Sequence, residues 1–354
     1  MEAEESLSSQ FLLNNFTNTS TELLPLTPFT YPPLFQCLIY TLYSAIVITA
    51  VFGNILVITV VLTIPKMRTV TNFLIGNLAL GDLLMASFSP FGFISILLQF
   101  WPFGKLLCLI VTPFQCVFVF VSAWTLVVLS LERWWVIVGK AKWRKGLVFW
   151  AIGGVWIFSL VVSLPVGLVV GVRDAGNERM LCEEIGWPSP TLRLSYTLTL
   201  IFLQYFLPVS VLASTYTRIA IEIWWKKVIP VLECSGSMYT KSVREERMEK
   251  AKRKTISTLL LVVTCYTLSW LPLNLLYLYL EIIQDEESDP FPMIEYVYVL
   301  CHWLSMTHSS LNIFIYAFVN ERFRDGFLTV LRRCVRSKPQ NQAPTADVVS
   351  MMTL

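Results

Sequence analysis

The chain has 354 residues, of which 55% are apolar and 14% are charged. Soluble domains carry roughly 25% charged residues, so this composition excludes a large soluble enzyme. A net charge of +3 is too small for a nucleic-acid-binding protein with a basic face. Eight cysteines are too few for a scaffold built on disulfides. The composition therefore indicates a membrane protein.

The first 36 residues contain no lysine or arginine and are predicted to form an exposed tail. Two adjacent tripeptides in this tail have the sequence of glycosylation acceptors, Asn15-Phe16-Thr17 and Asn18-Thr19-Ser20. Asn15 and Asn18 are acceptors only if the tail lies outside the cell. We therefore predict a glycosylated extracellular tail over residues 1–36.

Seven long stretches follow, and they contain no charged residue except for one acid in the second. Each has at least 24 residues, and about 20 suffice for a helix to cross a hydrocarbon core ~30 Å thick. We predict an all-α membrane protein whose seven-transmembrane helix bundle occupies residues 37–320. The predicted spans are 37–64, 71–100, 106–131, 147–172, 194–217, 255–280 and 296–320.

Basic residues are concentrated in alternate connecting segments. The loop at 226–254 holds nine, and the segment after the last span holds six, whereas the loop before the last span has acids and no base. Loops rich in lysine and arginine stay in the cytoplasm. This pattern predicts a multi-pass plasma-membrane protein with its N-terminus outside and its C-terminus in the cytoplasm.

Residues 321–334 alternate apolar and basic side chains at helical spacing, which predicts a short amphipathic helix lying in the membrane interface. Cys334 at its end is either a palmitoylation site or a plain free thiol. Residues 335–354 are predicted to form a disordered cytoplasmic tail.

Asp82 is the only acid inside any predicted span. Burial of a carboxylate in a bilayer costs at least a few kcal/mol on insertion scales, so Asp82 must face a polar interior, a partner or an ion. Two interpretations stay open: a hydrogen-bonded structural acid, or a site for a small cation or a proton that changes with conformation.

Cys108 opens the third span, and Cys182 lies in the loop after the fourth. In the predicted topology both face an oxidising compartment, where a disulfide between them would hold that loop across the mouth of the bundle. Cysteines inside the spans are expected to be small packed side chains.

Several other residues have more than one interpretation. Glu132-Arg133 ends the third span, where an arginine often reaches from the bilayer toward water. Pro208 and Pro272 lie within spans and can bend their helices. Trp270, two residues before Pro272, is either a bulky lever beside a kink or ordinary core packing.

Seven short motifs occur in order, one on each span: Gly53-Asn54, Leu78-Ala79-Leu80-Gly81-Asp82, Glu132-Arg133-Trp134, Trp156, Pro208 with Tyr216, Ser269-Trp270-Leu271-Pro272 and Asn312-Ile313-Phe314-Ile315-Tyr316. In this set the chain resembles rhodopsin-type (class A) G-protein-coupled receptors across residues 37–334. The segments at 72–80, 101–104, 181–184 and 300–306 further resemble receptors of the prolactin-releasing peptide and neuropeptide Y group.

This resemblance implies a receptor for an extracellular peptide that ends in Arg-Phe-amide or Arg-Tyr-amide, with heterotrimeric G proteins and arrestin as intracellular partners. An acid at the mouth, Glu281 or Glu184, would pair the peptide arginine. Gln115, assisted by His302, would bind the terminal amide without burying a charge. Trp303, Tyr277, Phe114 and Phe118 would bury the terminal ring. Without the resemblance, Glu281 is one more solvated charge and His302 an interhelical histidine.

The resemblance also implies an allosteric sodium site formed by Asp82, Ser122 and Asn312, and no other cofactor. The residues implied for the conformational switch and G-protein coupling are Glu132, Arg133, Tyr216, Trp270, Pro272 and Tyr316.

Ile313 stands where the family has proline, so the kink of the seventh helix should be reduced. One alternative is therefore a neuropeptide Y-like or orphan peptide receptor with weak or absent coupling. An ion-coupled transporter is a further alternative, but its inverted repeats are not visible in the sequence. An enzyme is not expected, because both histidines lie in the seventh span and Asp82 has no second acid in any span.

Overall fold

The computed structural model describes residues 31–176, 179–233, 243–282 and 293–336. Seven long helices form a bundle, an eighth follows the last of them, and a two-stranded antiparallel hairpin connects the fourth to the fifth. The elements are α1 Pro33–Thr63, α2 Val70–Leu98, α3 Gly104–Ile137, α4 Lys145–Val169, β1 Val170–Asp174, β2 Met180–Glu184, α5 in three segments (Pro190–Ile201, Phe202–Phe206 and Leu207–Glu233), α6 Val243–Ile282, α7 Ile294–Val319 and α8 Glu321–Arg336.

The seven predicted spans coincide with α1 to α7, which confirms the predicted helix bundle. In the described part of the chain, six of these helices are long and apolar enough to cross a membrane. The seventh, α7, has 26 residues and is long enough as well, but it carries more polar side chains. These polar side chains are buried inside the bundle: His302, Ser305, His308, Ser309, Ser310 and Asn312.

The prediction for the end of the fourth span is wrong. The helix ends at Val169, and the last three residues of the predicted span belong to strand β1. There Val170 pairs with Glu184 and Val172 pairs with Cys182. A run of apolar residues does not by itself distinguish a helix from a buried strand, so the charge-free stretch was extended too far.

The bundle also begins earlier than predicted. Helix α1 starts at Pro33 and Tyr31 is buried, so both lie within the residues 1–36 that were predicted to form the tail. Tyr31 is 2% exposed, packs edge-on against Tyr296 and donates a hydrogen bond to the Glu295 carbonyl oxygen at 3.4 Å. Burial, together with the Glu295 carboxylate, raises the pKa of Tyr31 to about 12, so its hydroxyl stays protonated at neutral pH. Asn15 and Asn18 lie outside the described residues.

Helix α8 has the amphipathic pattern that was predicted for residues 321–334. Phe323 and Phe327 are buried against the bundle, and Phe323 stacks on Tyr316 of α7 with ring centroids 5.2 Å apart. The arginines at 322, 324, 332 and 333 are exposed. Cys334 lies on the last turn of α8, and its side chain is outside the described residues.

Buried amides connect neighbouring helices. Asn54 on α1 donates to the Ser309 carbonyl oxygen on α7 at 3.2 Å. Asn77 on α2 donates to the Thr125 hydroxyl on α3 at 2.8 Å and accepts from the Trp156 indole of α4 at 3.0 Å. In a bilayer such interhelical hydrogen bonds help to define helix packing, because lipid tails are as apolar as the side chains.

Helix α5 contains a π-helical turn over Phe202–Phe206, directly before Pro208. Proline has no amide hydrogen, so carbonyl groups one turn earlier lose their intrahelical donor. Neighbouring helices supply that donor. The Trp124 indole of α3 donates to the Leu203 carbonyl oxygen at 3.1 Å, and the Tyr266 hydroxyl of α6 donates to the Gln204 carbonyl oxygen at 2.8 Å.

Helix α7 runs without an internal proline from Ile294 to Val319. Ile313, at the family's proline position, lies directly against Gly53 of α1. A Cβ atom built on Gly53 would come within 2.8 Å of the Ile313 side chain. The glycine therefore lets α1 approach the bulkier residue on α7, and the two positions fit each other.

Tyr266→Phe should destabilise the protein, because the Gln204 carbonyl would lose its donor inside the bundle. We expect a loss of about 1–3 kcal/mol in the free energy of unfolding, measured as a lower Tm of the purified protein in nanodiscs. In a Pro208→Ala background, where the backbone can supply its own donor, the same substitution should cost less. An equal loss in both backgrounds would show that Pro208 does not create the need for Tyr266.

Candidate functional site

A cavity of about 610 Å³ opens at the end of the bundle that carries the hairpin. Helices α2, α3, α5, α6 and α7 and strand β2 contribute to its wall. Five residues that the sequence proposed for ligand binding line it: Gln115, Glu184, Tyr277, Glu281 and His302. They come from α3, β2, α6 and α7, so only the folded bundle brings them together.

The predicted disulfide between Cys108 and Cys182 is present, with an S–S distance of 2.05 Å. It joins the first turns of α3 to β2. The Trp101 amide adds a hydrogen bond to the Met180 carbonyl oxygen at 2.6 Å. The hairpin is thereby held over the bundle, and β2 contributes Cys182, Glu183 and Glu184 to the cavity wall.

The mouth of the cavity is acidic. Glu183, Glu184 and Glu281 line it, and Arg193 is the only cationic side chain among its described lining residues. An Arg193 Nη2 atom lies 3.3 Å from a Glu281 carboxylate oxygen, and both side chains are partly exposed to solvent. Such a partly exposed ion pair is worth at most about 1 kcal/mol.

The other two acids at the mouth have partners of their own. Glu184 accepts a hydrogen bond from the Trp187 indole at 2.7 Å. Glu183 pairs with Arg173 on the facing strand β1, and this carboxylate raises the pKa of Arg173. Of the three acids, Glu281 is the one whose partner comes from another helix.

The interior of the cavity is neutral and rich in amides. Gln115 lies against Gly92 of α2, where an added Cβ atom would be 3.5 Å from the Gln115 amide nitrogen. Within the described residues, the Gln115 amide makes no hydrogen bond. Gln204 and Asn274 also line the cavity. The sequence analysis missed both, although Asn274 lies one helical turn from Trp270 and donates to its carbonyl oxygen at 2.8 Å.

Three aromatic residues that were predicted for this wall lie elsewhere. Phe114 is 41% exposed on the outer face of α3, and Phe118 is buried between Phe88 and Trp156. Successive residues of a helix are turned by about 100°, so a helix that directs Gln115 into the cavity directs Phe114 and Phe118 past it. Trp303, next to His302, packs among α1 and α7 instead. The aromatic residues that do line the cavity are Trp101, Phe120, Tyr196, Trp270, Tyr277 and Tyr298.

His302 borders the cavity and also connects two helices. Its Nδ1 atom lies 2.7 Å from the Tyr43 hydroxyl of α1, and its ring stacks on Tyr298. The interhelical interpretation therefore describes its position, and the ring is held by Tyr43 of α1 and by Tyr298 of its own helix.

Asp82 is completely buried near the middle of the bundle, and its carboxylate is fully engaged. One oxygen accepts from the Ser122 hydroxyl at 2.8 Å, and the other accepts from the Asn312 amide at 2.7 Å. The three residues of the predicted sodium site thus meet at one point. The structure adds His308, whose Nε2 atom is 3.5 Å from the oxygen that Ser122 contacts.

His308 connects Asp82 to the Trp270 side chain of α6. The Trp270 indole lies 3.1 Å from His308 Nδ1, and the Ser305 carbonyl oxygen lies 2.8 Å from the same atom, so Nδ1 is engaged in either tautomer and Nε2 faces Asp82. The sequence analysis missed His308. The sequence feature that could have identified it is its spacing of four residues from Asn312, because residues four apart share one face of a helix.

At the opposite end of the bundle, Arg133 is held by two neighbours. It forms a two-point contact with the Glu132 carboxylate, with one N–O distance of 2.6 Å, and it donates to the Thr71 hydroxyl of α2. Tyr216 and Tyr316, also predicted to belong to the switch, are buried nearby in the core. These contacts hold the arginine against α2 and α3.

The family model of seven-transmembrane receptors of the rhodopsin family matches residues 53–316. The chain belongs to this family. The receptor is therefore a multi-pass membrane protein and not an enzyme, as the sequence predicted. The family assignment also removes the transporter alternative.

Individual relatives agree with the family. The receptor is 40% identical over 309 residues to the RYamide receptor of Drosophila melanogaster, covering 84% of this chain and 64% of that one. It is 36% identical to the RYamide receptor of Tribolium castaneum, over 85% and 83% of the two chains. It is 32% identical to the human Substance-K receptor, over 87% and 76%.

The alignment spans just under two thirds of the Drosophila receptor. The narrower resemblance to the prolactin-releasing peptide and neuropeptide Y group stays a prediction.

Thr71→Val should destabilise the receptor, because the partly buried guanidinium of Arg133 would lose its acceptor on α2. Hydrogen bonds to charged groups contribute about 1.5–3 kcal/mol, and a lower Tm of the purified receptor would measure the loss. Thr59→Val is the matched control, since the Thr59 hydroxyl bonds only within its own helix. Equal Tm values for the two variants would contradict the assigned contact.

Proposed function

We propose that this chain is a plasma-membrane receptor for a C-terminally amidated neuropeptide in which arginine precedes a terminal aromatic residue. One observation carries the proposal: a single cavity combines an acidic mouth with a neutral interior rich in amides. A peptide end of this type has the complementary order, a cation followed by an aromatic ring and an uncharged amide.

At the mouth, the peptide arginine is assigned to Glu281. A guanidinium offers two parallel N–H donors that match a carboxylate. In the structure the position is taken by Arg193, whose guanidinium has the same chemistry. We propose that the peptide arginine displaces Arg193, so binding exchanges one such pair for another and leaves no buried charge without a partner. Glu184 is the second acid within reach of the same wall.

Deeper in the cavity, the terminal amide is assigned to Gln115. A free carboxylate there would be a buried charge with no cation beside it, which costs far more than a neutral amide. The Gln115 side chain has both donors and an acceptor available, so it can bind the carbonyl and the amine of a primary amide together. This explains a requirement for amidation.

The terminal ring is assigned to the aromatic residues between these two positions, with Tyr277 and Tyr298 facing each other through hydroxyl groups 3.5 Å apart. Phenylalanine and tyrosine both suit this wall. The two insect relatives are named RYamide receptors, and hydroxyl and amide partners in the wall favour tyrosine, so an Arg-Tyr-amide peptide is the first ligand to test.

Signalling is assigned to the opposite end of the bundle, with the N-terminus outside the cell and α8 in the cytoplasm. Peptide binding would favour a conformation in which the α8 end of α6 moves outward and Arg133 leaves Thr71 and Glu132. The cleft this opens would accept a heterotrimeric G protein and, after activation, arrestin. Between the two ends, Trp270 and His308 connect the cavity to Asp82.

We also propose an allosteric sodium ion at Asp82. The Asp82 carboxylate and the Ser122 hydroxyl are hard oxygen ligands, and the Asn312 amide can present its oxygen after a flip that does not change its shape. His308 is a competitor for the same carboxylate. The ion would stabilise the resting conformation electrostatically.

Glu281→Gln should weaken binding of an Arg-Tyr-amide peptide at least tenfold, about 1.4 kcal/mol, because the arginine loses its charged partner. A labelled-peptide competition assay on membranes would measure this.

Arg193→Gln should strengthen binding of the same peptide, since no resident guanidinium has to be displaced. As a control, a peptide with citrulline in place of arginine should bind both variants and the parent chain with equal affinity. If Glu281→Gln still weakens binding of the citrulline peptide, Glu281 does not contact the peptide arginine.

Asp82→Asn should abolish the sodium dependence of peptide affinity, compared in sodium and N-methylglucamine chloride of equal ionic strength. His308→Asn should increase that dependence, because the imidazole no longer competes for the carboxylate. Sodium dependence that survives Asp82→Asn would place the ion elsewhere. No change in His308→Asn would show that the imidazole does not exclude sodium.

A further inference from the structure

A second concave surface lies at the α8 end of the bundle, between the end of α3 and the start of α4. This surface, called here the indole groove, has a volume of about 660 Å³. Its lining residues are Trp135, Lys142, Trp143, Arg144, Gly146, Leu147 and Trp150. No function assigned above uses it.

The turn after α3 gives the groove its shape. Gly139 allows close approach, because an added Cβ atom would lie 2.7 Å from the Trp135 carbonyl oxygen. Lys140 has a φ of 53°, the left-handed conformation that reverses the chain. The Ala141 amide then donates to the Trp135 carbonyl oxygen at 3.4 Å, and Lys142 and Arg144 follow on the rim of the groove.

One wall of the groove faces the lipid. Trp150 is 82% exposed, which is costly for an indole in water but expected for one in contact with a bilayer interface. It also begins the exposed stripe of α4. The stripe continues at helical spacing through the exposed residues Ile157, Val161, Leu164 and Leu168. The groove is therefore continuous with the membrane-facing side of α4.

The rim is cationic and has no opposing charge. Lys142 and Arg144 are exposed, and neither pairs with a carboxylate among the described residues. The sequence contains no aspartate or glutamate from 133 to 173. The helix that follows also starts without a side-chain cap at Arg144, which leaves its first amide groups available.

We propose that the indole groove binds an anionic phospholipid. The headgroup phosphate would contact Lys142 and Arg144, and the glycerol and upper acyl chain would lie against Trp135 and Trp150. An occupant with an anionic end in water and an apolar end in the bilayer fits both the charged rim and the exposed stripe, whereas a soluble anion would use only the rim. With the orientation proposed above, the groove lies in the cytoplasmic leaflet, where anionic lipids are concentrated.

Native mass spectrometry of the full chain tests this proposal, with equal amounts of phosphatidylcholine and phosphatidylglycerol added to the detergent-purified receptor. The parent chain should retain phosphatidylglycerol in preference to phosphatidylcholine. The double variant K142Q/R144Q should retain about tenfold less phosphatidylglycerol and unchanged phosphatidylcholine. The matched control R322Q/R324Q removes two exposed charges from α8 at the same end of the bundle and should change retention less than twofold.

Trp150→Ala separates a lipid from a soluble anion, and its high exposure means that the substitution costs little packing. It should also reduce phosphatidylglycerol retention, and millimolar glycerol phosphate should not compete. Equal losses of phosphatidylglycerol retention in K142Q/R144Q and R322Q/R324Q would mean non-specific attraction of the lipid to positive charge. Unchanged retention in Trp150→Ala would mean that the site binds the headgroup alone. Unchanged lipid retention with lost G-protein coupling in K142Q/R144Q would mean a protein-binding surface. Each of these results would overturn the proposal, and the lipid-retention measurements do not depend on peptide binding.

Discussion

Backbone carbonyl groups and charges inside a bilayer need partners within the protein, and this constraint organises much of the bundle. Asp82 satisfies it with donors from α3 and α7. The carbonyl groups that Pro208 leaves without a donor in α5 are satisfied by Trp124 and Tyr266. Because the alternative to each contact is a bare polar group in hydrocarbon, these contacts define how the helices pack and which contacts must change together.

The same constraint explains how the two ends of the bundle are connected. Trp270 borders the cavity and donates to His308, and His308 faces the Asp82 carboxylate. A shift of Trp270 on ligand binding would remove one of the two contacts of the His308 Nδ1 atom, the other being the Ser305 carbonyl oxygen. Arg133 is held in a comparable way by Glu132 and Thr71. Discrete contacts of this kind favour alternative arrangements over a continuum of conformations.

The success of sequence reasoning depended on the kind of signal. Charge-free runs found all seven spans, because a charge in lipid is costly wherever it lies on the helix. The hairpin was missed, because Val170 and Val172 are as apolar as the helix before them. Phe114, Phe118 and Trp303 were assigned to the cavity on residue type alone, and the rotation of their helices turned them away from it. His308 was overlooked, although its spacing from Asn312 was readable.

By itself, the sequence determined the class of protein, the number of spans, the cysteine pair and the charged loops, since these follow from composition and from the cost of burying charge. Only the tertiary structure decided which residues face one another. The placement of Gln115 and Glu281 in one cavity, the pairing of Glu281 with Arg193 and the contact of Ile313 with Gly53 each involve residues from different helices. Helix rotation and helix packing determine such contacts, and neither is encoded in any local stretch of the chain.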